Sequence, residues 1–238
     1  MTGKISSILL VMLLLLSCNN SKEYSITGTI RGYSDGDTIS LGYSADGKDY
    51  TITDKCIVKN EQFYFSGKTK GCDIYYIGYN TADEKPQFLL FFLEEGNIEI
   101  EITDQTVNVK GTPTNDLVSM VETKLQDYTS ELYETQYRLE LDSTMSDTEK
   151  SELALQAMEA QRDAVLYIQD IIRANIESAA GLYFLVQFSY LFDDNELISL
   201  TNDIPHKNIN RQNNCMYDML KEEIVERSMS NEKREMLY

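Results

Sequence analysis

At Gly111-Thr112-Pro113-Thr114-Asn115 the hydrophobic period of this chain changes, and no other feature limits the fold as strongly. Before it, apolar and polar residues alternate in short runs, as in Tyr24-Ser25-Ile26-Thr27-Gly28-Thr29-Ile30. That is the two-residue period of strands. After it, apolar residues recur every three or four positions, which gathers them on one stripe of a helix. The junction itself has the chemistry of a helix start: a hydroxyl or amide able to cap, and Pro113 in a first turn that needs no amide hydrogen. The expected class is therefore α+β, with an N-terminal antiparallel β-sandwich or barrel-like domain over residues 24–112. A helical hairpin and shorter helices should follow over residues 113–238.

Turn chemistry separates the strands. Ser34-Asp35-Gly36-Asp37, Ala45-Asp46-Gly47-Lys48 and Lys59-Asn60-Glu61 each precede an alternating or apolar run, and Asp-Gly pairs supply the positive φ of tight hairpins. Later runs are Asp73 to Tyr79, Phe88 to Leu93, and Asn97 to Ile102 after Gly96. Several short strands at such spacing argue a sandwich or barrel. In the helical part, Leu117, Val121, Leu125, Tyr128, Leu132 and Tyr133 mark a first long helix. Ser146 with Glu149 has capping-box spacing and opens a second, lined by Leu153, Met158, Val165, Ile168, Ile171 and Ile172. Shorter helices are expected near residues 179–192, 195–202 and 214–228.

The N-terminus carries an address. Lys4 precedes an unbroken apolar run, Ile8 to Leu16, too short for the roughly 20 residues that span a hydrocarbon core, and small Ser17 then precedes Cys18. Leu15-Leu16-Ser17-Cys18 resembles the bacterial lipobox. The resemblance implies cleavage after residue 17, diacylglycerol on Cys18, and a short tether over residues 18–23. Several acyl chains on one terminus anchor stably where a single chain would not. Asn19 is not the aspartate that retains many such proteins at the inner membrane, so an envelope location on the outer membrane is expected, facing periplasm or surface.

The formal charge of −18 argues against nucleic acid as a partner, because the phosphate backbone attracts basic proteins and repels acidic ones. Residues 18–110 hold 15 acids and 9 bases, whereas residues 111–238 hold 24 and 11, so the helical half is the acidic half. Beyond Cys18, three cysteines remain in a compartment where disulfides persist: Cys56, Cys72 and Cys215. By strand parity Cys56 goes with Tyr50, Ile52 and Val58, and Cys72 goes with Ile74 and Tyr76. A Cys56–Cys72 disulfide is open to them if their strands are neighbours; otherwise they are small buried hydrophobes. With no Cys-x-x-Cys and a single histidine, His206, the usual zinc constellations are excluded.

Three stretches of the β half resemble the N-terminal domain of unknown function that precedes thioredoxin-like domains in Gram-negative envelope lipoproteins related to thiol-disulfide oxidoreductases. They are Ile26-Thr27-Gly28-Thr29-Ile30 with Asp35-Gly36-Asp37-Thr38-Ile39-Ser40-Leu41, Phe91-Phe92-Leu93-Glu94-Glu95-Gly96-Asn97-Ile98-Glu99-Ile100, and Val109-Lys110-Gly111-Thr112-Pro113-Thr114-Asn115. The helices look like the segment joining that domain to the thioredoxin fold, most of all at Asn175-Ile176-Glu177-Ser178-Ala179-Ala180-Gly181. The thioredoxin fold itself does not follow before Tyr238, so the family's redox activity is not carried over. An accessory module is expected, with an envelope protein as partner, a thioredoxin-like protein among the candidates.

Other chemistry is weakly signalled. Asp35, Asp37, Asp46, Asp49 and Asp54 lack the spacing of a calcium loop and read as hairpin turns. Glu94, Glu95, Glu99 and Glu101 could offer a glycosidase-like carboxylate pair, but Glu99 and Glu101 alternate with isoleucines as on a solvated strand face. His206 has no nucleophile motif to serve. No catalytic residue, metal or cofactor is expected, and a non-catalytic binding or accessory role is favoured. A truncated redox relative and a hydrolase with a hidden carboxylate site are the alternatives. Tyrosines crowd the β half at positions 33, 43, 50, 64, 75, 76 and 79, and the hairpin at 128, 133, 137 and 167. Such rings suit protein or carbohydrate contacts, although alternation sends about half of those on strands into a core.

Overall fold

A computed structural model describes residues 22–44, 49–80, 85–141, 144–205 and 214–235. The leader, Cys18, Asp46 and His206 lie outside them. Eight strands come first: β1 (Lys22–Ile30), β2 (Thr38–Ser44), β3 (Tyr50–Ile57), β4 (Gln62–Thr69), β5 (Asp73–Asn80), β6 (Pro86–Leu93), β7 (Gly96–Ile102) and β8 (Val107–Lys110). They form two four-stranded sheets, ordered β4-β1-β7-β8 and β3-β2-β5-β6. Alternation turns Ile26, Ile30, Phe63, Phe65, Ile98 and Ile100 of one sheet toward Ile39, Leu41, Ile77, Phe91 and Leu93 of the other, in one buried cluster. The α+β class is as the period change predicts. Among the described residues every strand pairing is antiparallel except β1 with β7, which runs parallel from Tyr24↔Gly96 to Ile30↔Ile102.

Parity along β3 does not run straight through. Register shifts between Leu41 and Gly42: Leu41 pairs with Asp54 and Gly42 with Ile52, leaving Thr53 as the extra residue of a bulge. Thr53 Oγ1 donates to the Leu41 carbonyl at 3.1 Å. Cys56 and Val58 therefore face the sandwich core, while Tyr50 and Ile52 turn to the outer face. There the Tyr50 ring lies over Gly42 and Gly78, where any Cβ would collide with it or its neighbours, and packs on Phe88 at 4.7 Å.

The proposed cysteine pairing is corrected here: Cys56 and Cys72 are not bridged. Cys56 points inward and sits opposite Ile39, level with Tyr79 on β5 through Ser40↔Gly78. Cys72 precedes the other end of β5, seven positions away, or about 23 Å at a strand's rise, and shares its parity with outward-facing Ile74 and Tyr76. A disulfide needs Cα atoms within about 7 Å.

Among the described residues the helices are α1 (Pro113–Leu141), α2 (Asp147–Asn175), α3 (Ala179–Gln187), α4 (Asp194–Asp203) and α5 (Asn214–Glu235), with a 3₁₀ turn at Ser189–Leu191. The capping box forms as its spacing predicts: the Glu149 amide donates to Ser146 Oγ at 3.3 Å, and the Ser146 amide to the Glu149 carboxylate at 2.8 Å. Val121, Ile168, Ile172, Leu182, Phe184, Leu185, Leu197 and Leu220 make a second core. It gathers the near ends of α1 and α2. Their far halves form an arm on which Met158, expected to line the helix, is exposed, as are Tyr133 at 70% and Tyr137 at 66%. Tyr128 and Tyr167 instead meet each other across the hairpin at 6.3 Å. Among the described residues no helix is long and apolar enough to cross a membrane.

Candidate functional site

The two cores are joined where α1 begins. Thr112 is its cap, with its carbonyl accepting from the Asp116 amide at 2.8 Å, and Pro113 fills the first helical position. The Glu94 carboxylate reaches over from the end of β6 and takes both the Thr114 amide at 2.8 Å and its hydroxyl at 2.9 Å. An anion at a helix N-terminus meets free amides and the positive end of the dipole. The Asp116 carboxylate accepts from the Gly111 amide at 2.7 Å. Together these contacts fix the helix against the sandwich.

Asn115, in the first turn, is buried and does not cap. Its Oδ1 accepts the Phe92 amide at 2.9 Å, and its Nδ2 donates to the Phe92 carbonyl at 2.7 Å and to Thr112 Oγ1 at 2.8 Å. One carboxamide thus satisfies both outward backbone groups of a residue on β6, the last strand of its sheet. It does what one residue of a neighbouring strand would do, and the buried amide and carbonyl need that service.

Away from Asn115 the β6 edge opens into a cleft of about 250 Å³. Phe88 to Phe92 form one side; Val107, Asn108 and Val109 of β8 with Val118, Ser119 and Glu122 of α1 form the other, and Tyr183 of α3 closes an end. Ser119 Oγ donates to Asn108 Oδ1 at 3.2 Å, tying the helix to β8. Tyr183 packs edge-on to Phe92 at 5.7 Å, and its hydroxyl donates to Glu122 at 3.4 Å. Although Glu122 keeps solvent on one side, partial burial pushes its carboxyl up from the ordinary value. Burial first, then the nearby Glu122 charge, pushes the Tyr183 phenol up to about 12.

The residues singled out from sequence are scattered. Glu94 caps α1, Glu95 pairs with Lys22 at 2.8 Å, and Glu99 pairs with Lys110 at 3.6 Å on an exposed face, so they form no facing pair of acids. Asp35 and Asp37 build their turn, accepting from the Asn60 amide at 2.7 Å and the Ser34 amide at 2.8 Å. Among the described residues no group of three or more His, Cys, Asp or Glu is placed to hold a metal. Cys72 Sγ donates to Thr114 Oγ1 at 3.5 Å, and burial pushes its thiol up to about 12. Burial also pushes the Cys56 thiol up. Tyr33, Tyr75 and Tyr79 pack on the sandwich core, while Tyr64 is exposed on the opposite sheet. At the far end of the sandwich, Arg31, Tyr33, Asp37, Asn80, Gln87 and Asp104 line a polar cleft of about 620 Å³.

Residues 24–118 match the model of a domain of unknown function, DUF4369. This part of the chain is similar to that family. The DUF4369 match runs past β8 into α1 as far as Val118, so it includes Asn115 and the first part of the cleft wall. Glu122 and Tyr183 lie beyond it and come from the helical region. A comparison of the whole chain with curated proteins gives no match.

Proposed function

We propose that this chain is a lipid-tethered envelope lipoprotein acting as a non-catalytic accessory module, which holds another envelope component in the cleft between its DUF4369 domain and its helical region. The tether rests on the Leu15-Leu16-Ser17-Cys18 pattern and its outer-membrane address on Asn19. The observation that carries the binding role is the Asn115–Phe92 pairing. A fold that meets its edge-strand needs with a side chain at one residue, and leaves the next stretch facing an apolar-lined cleft, presents a surface suited to partner backbone. The redox-accessory alternative requires an accessible thiol of low pKa, and burial works against that at Cys56 and Cys72.

Site-specific photo-crosslinking in bacterial cells tests the reading, with the photoreactive residue at Val107 on the cleft rim or at Tyr64 on the far sheet. An envelope-protein adduct from Val107 and none from Tyr64 is the expected result. No adduct from either position, or substrate turnover by the purified chain, would contradict it.

A further inference from the structure

We propose that the cleft takes an extended segment of a partner protein, pairing backbone to backbone with Phe88 and Leu90 and placing a lysine or arginine beside Glu122. This rests on the binding role proposed above and names its chemistry. The direction of the free backbone groups follows from Asn115. Because the amide and carbonyl of Phe92 both point away from β5, the alternation of a strand turns those of Leu90 and Phe88 the same way. Pro86, next in that series, has no amide hydrogen and ends the run of donors. Among the described residues no strand lies on that side of β6. Two residues therefore offer two donors and two acceptors at strand spacing, immediately beside a carboxamide already standing where a strand residue would stand.

The walls select side chains. On the sandwich side the incoming segment meets Leu89, Phe91 and Val109, which belong to the β core or pack on it. On the helix side it meets Tyr183 and Glu122, and among the described residues no lysine or arginine lines the cleft. Alternating apolar and basic residues match the two sides, since side chains of an extended segment point to opposite faces. Opposite charge across an interface sets specificity and suppresses wrong partners. Backbone pairing supplies affinity in such strand addition, and alternate pockets supply the choice.

Fluorescence anisotropy on the purified full-length chain tests this with short, end-blocked fluorescein peptides that alternate valine with lysine, serine or glutamate. The lysine peptide should bind at least roughly tenfold more tightly than the glutamate peptide. Glu122→Gln should collapse that difference while leaving the serine peptide unchanged. Leu90→Pro, which removes an outward donor and spares the β5 ladder, should abolish binding. Because that variant can fail to fold, N-methylated lysine peptides provide a control on the ligand side: methylating one alternate set of amides should abolish binding, and methylating the other should not. Binding indifferent to both methylation patterns, or no binding by any peptide, would overturn the proposal. If the peptides fail but the Val107 adduct forms, the extended occupant is wrong and the accessory role stands. If they bind and Val107 gives no adduct, the groove chemistry stands and the cellular role falls.

Discussion

Asn115 completes both outward backbone hydrogen bonds of Phe92, at 2.9 and 2.7 Å, from the first turn of the helix that follows the sandwich. One buried side chain thereby ends a sheet and fixes the angle at which the helical region leaves it. Asn115→Ala leaves a buried amide and carbonyl without partners, each costing on the order of 1–3 kcal/mol. The expected loss is about 2–4 kcal/mol, measured by urea unfolding. Asn115→Asp keeps the acceptor but loses the donor and brings a charge into a buried site, so it should also destabilise, less at acid pH than at neutral pH.

Glu122 gives the stability a pH signature of its own. Its carboxyl is raised in the folded chain, with burial the leading cause. Below the ordinary carboxylate value both folded and unfolded states hold the proton, and the contribution is fully present. As pH rises the unfolded chain releases its proton first, so the contribution is lost progressively until Glu122 itself ionises. Glu122→Gln should therefore lose less stability than the wild type between mildly acid and neutral pH. Parallel unfolding curves for the two proteins across that range would contradict the assignment.

Cys72 and Cys56 should be slow to alkylate in the folded protein at neutral pH, because burial raises both thiols, Cys72 to about 12. Both should label quickly once the chain is denatured. Mass spectrometry of peptides after a short pulse of iodoacetamide reads this directly, and fast native labelling of Cys72 would revive a thiol-exchange role.

Gly181 stands where α2 turns into α3, with Ser178 Oγ accepting its amide at 3.0 Å. A Cβ there would lie 2.0 Å from the Asn175 carbonyl oxygen, a backbone atom that cannot swing aside. Gly181→Ala should destabilise by about 3 kcal/mol or more, in the range of forced overpacking, and thermal unfolding would show it as a lowered Tm.

Much of this was legible in the sequence, and its failures have physical causes. The period change at Gly111–Asn115 locates the boundary between the two cores, and Ser146 with Glu149 marks the start of α2 as observed. Asn175 to Gly181 stands out for a steric reason, the closeness of two helix ends. Parity failed at Tyr50 and Ile52, which do not share the face of Cys56 and Val58, because Thr53 is an extra residue, and a bulge leaves no signature that alternation can register. Met158 and Tyr133 fit a helical stripe, but sequence cannot tell how far a helix outruns the body it packs on. The candidate cleft was missed entirely: Asn115 reads as a cap, and Glu122 and Tyr183 are 61 positions apart, joined only by the fold.

Hydrogen exchange followed residue by residue along β6 tests the central claim most directly, that Asn115 acts as a substitute strand and leaves the neighbouring edge open. In the free protein the Phe92 amide should exchange slowly and the Leu90 amide quickly, with Leu90 becoming protected when the alternating valine and lysine peptide is added. A Leu90 amide as slow as that of Phe92 in the free chain, or unchanged by the peptide, would contradict it.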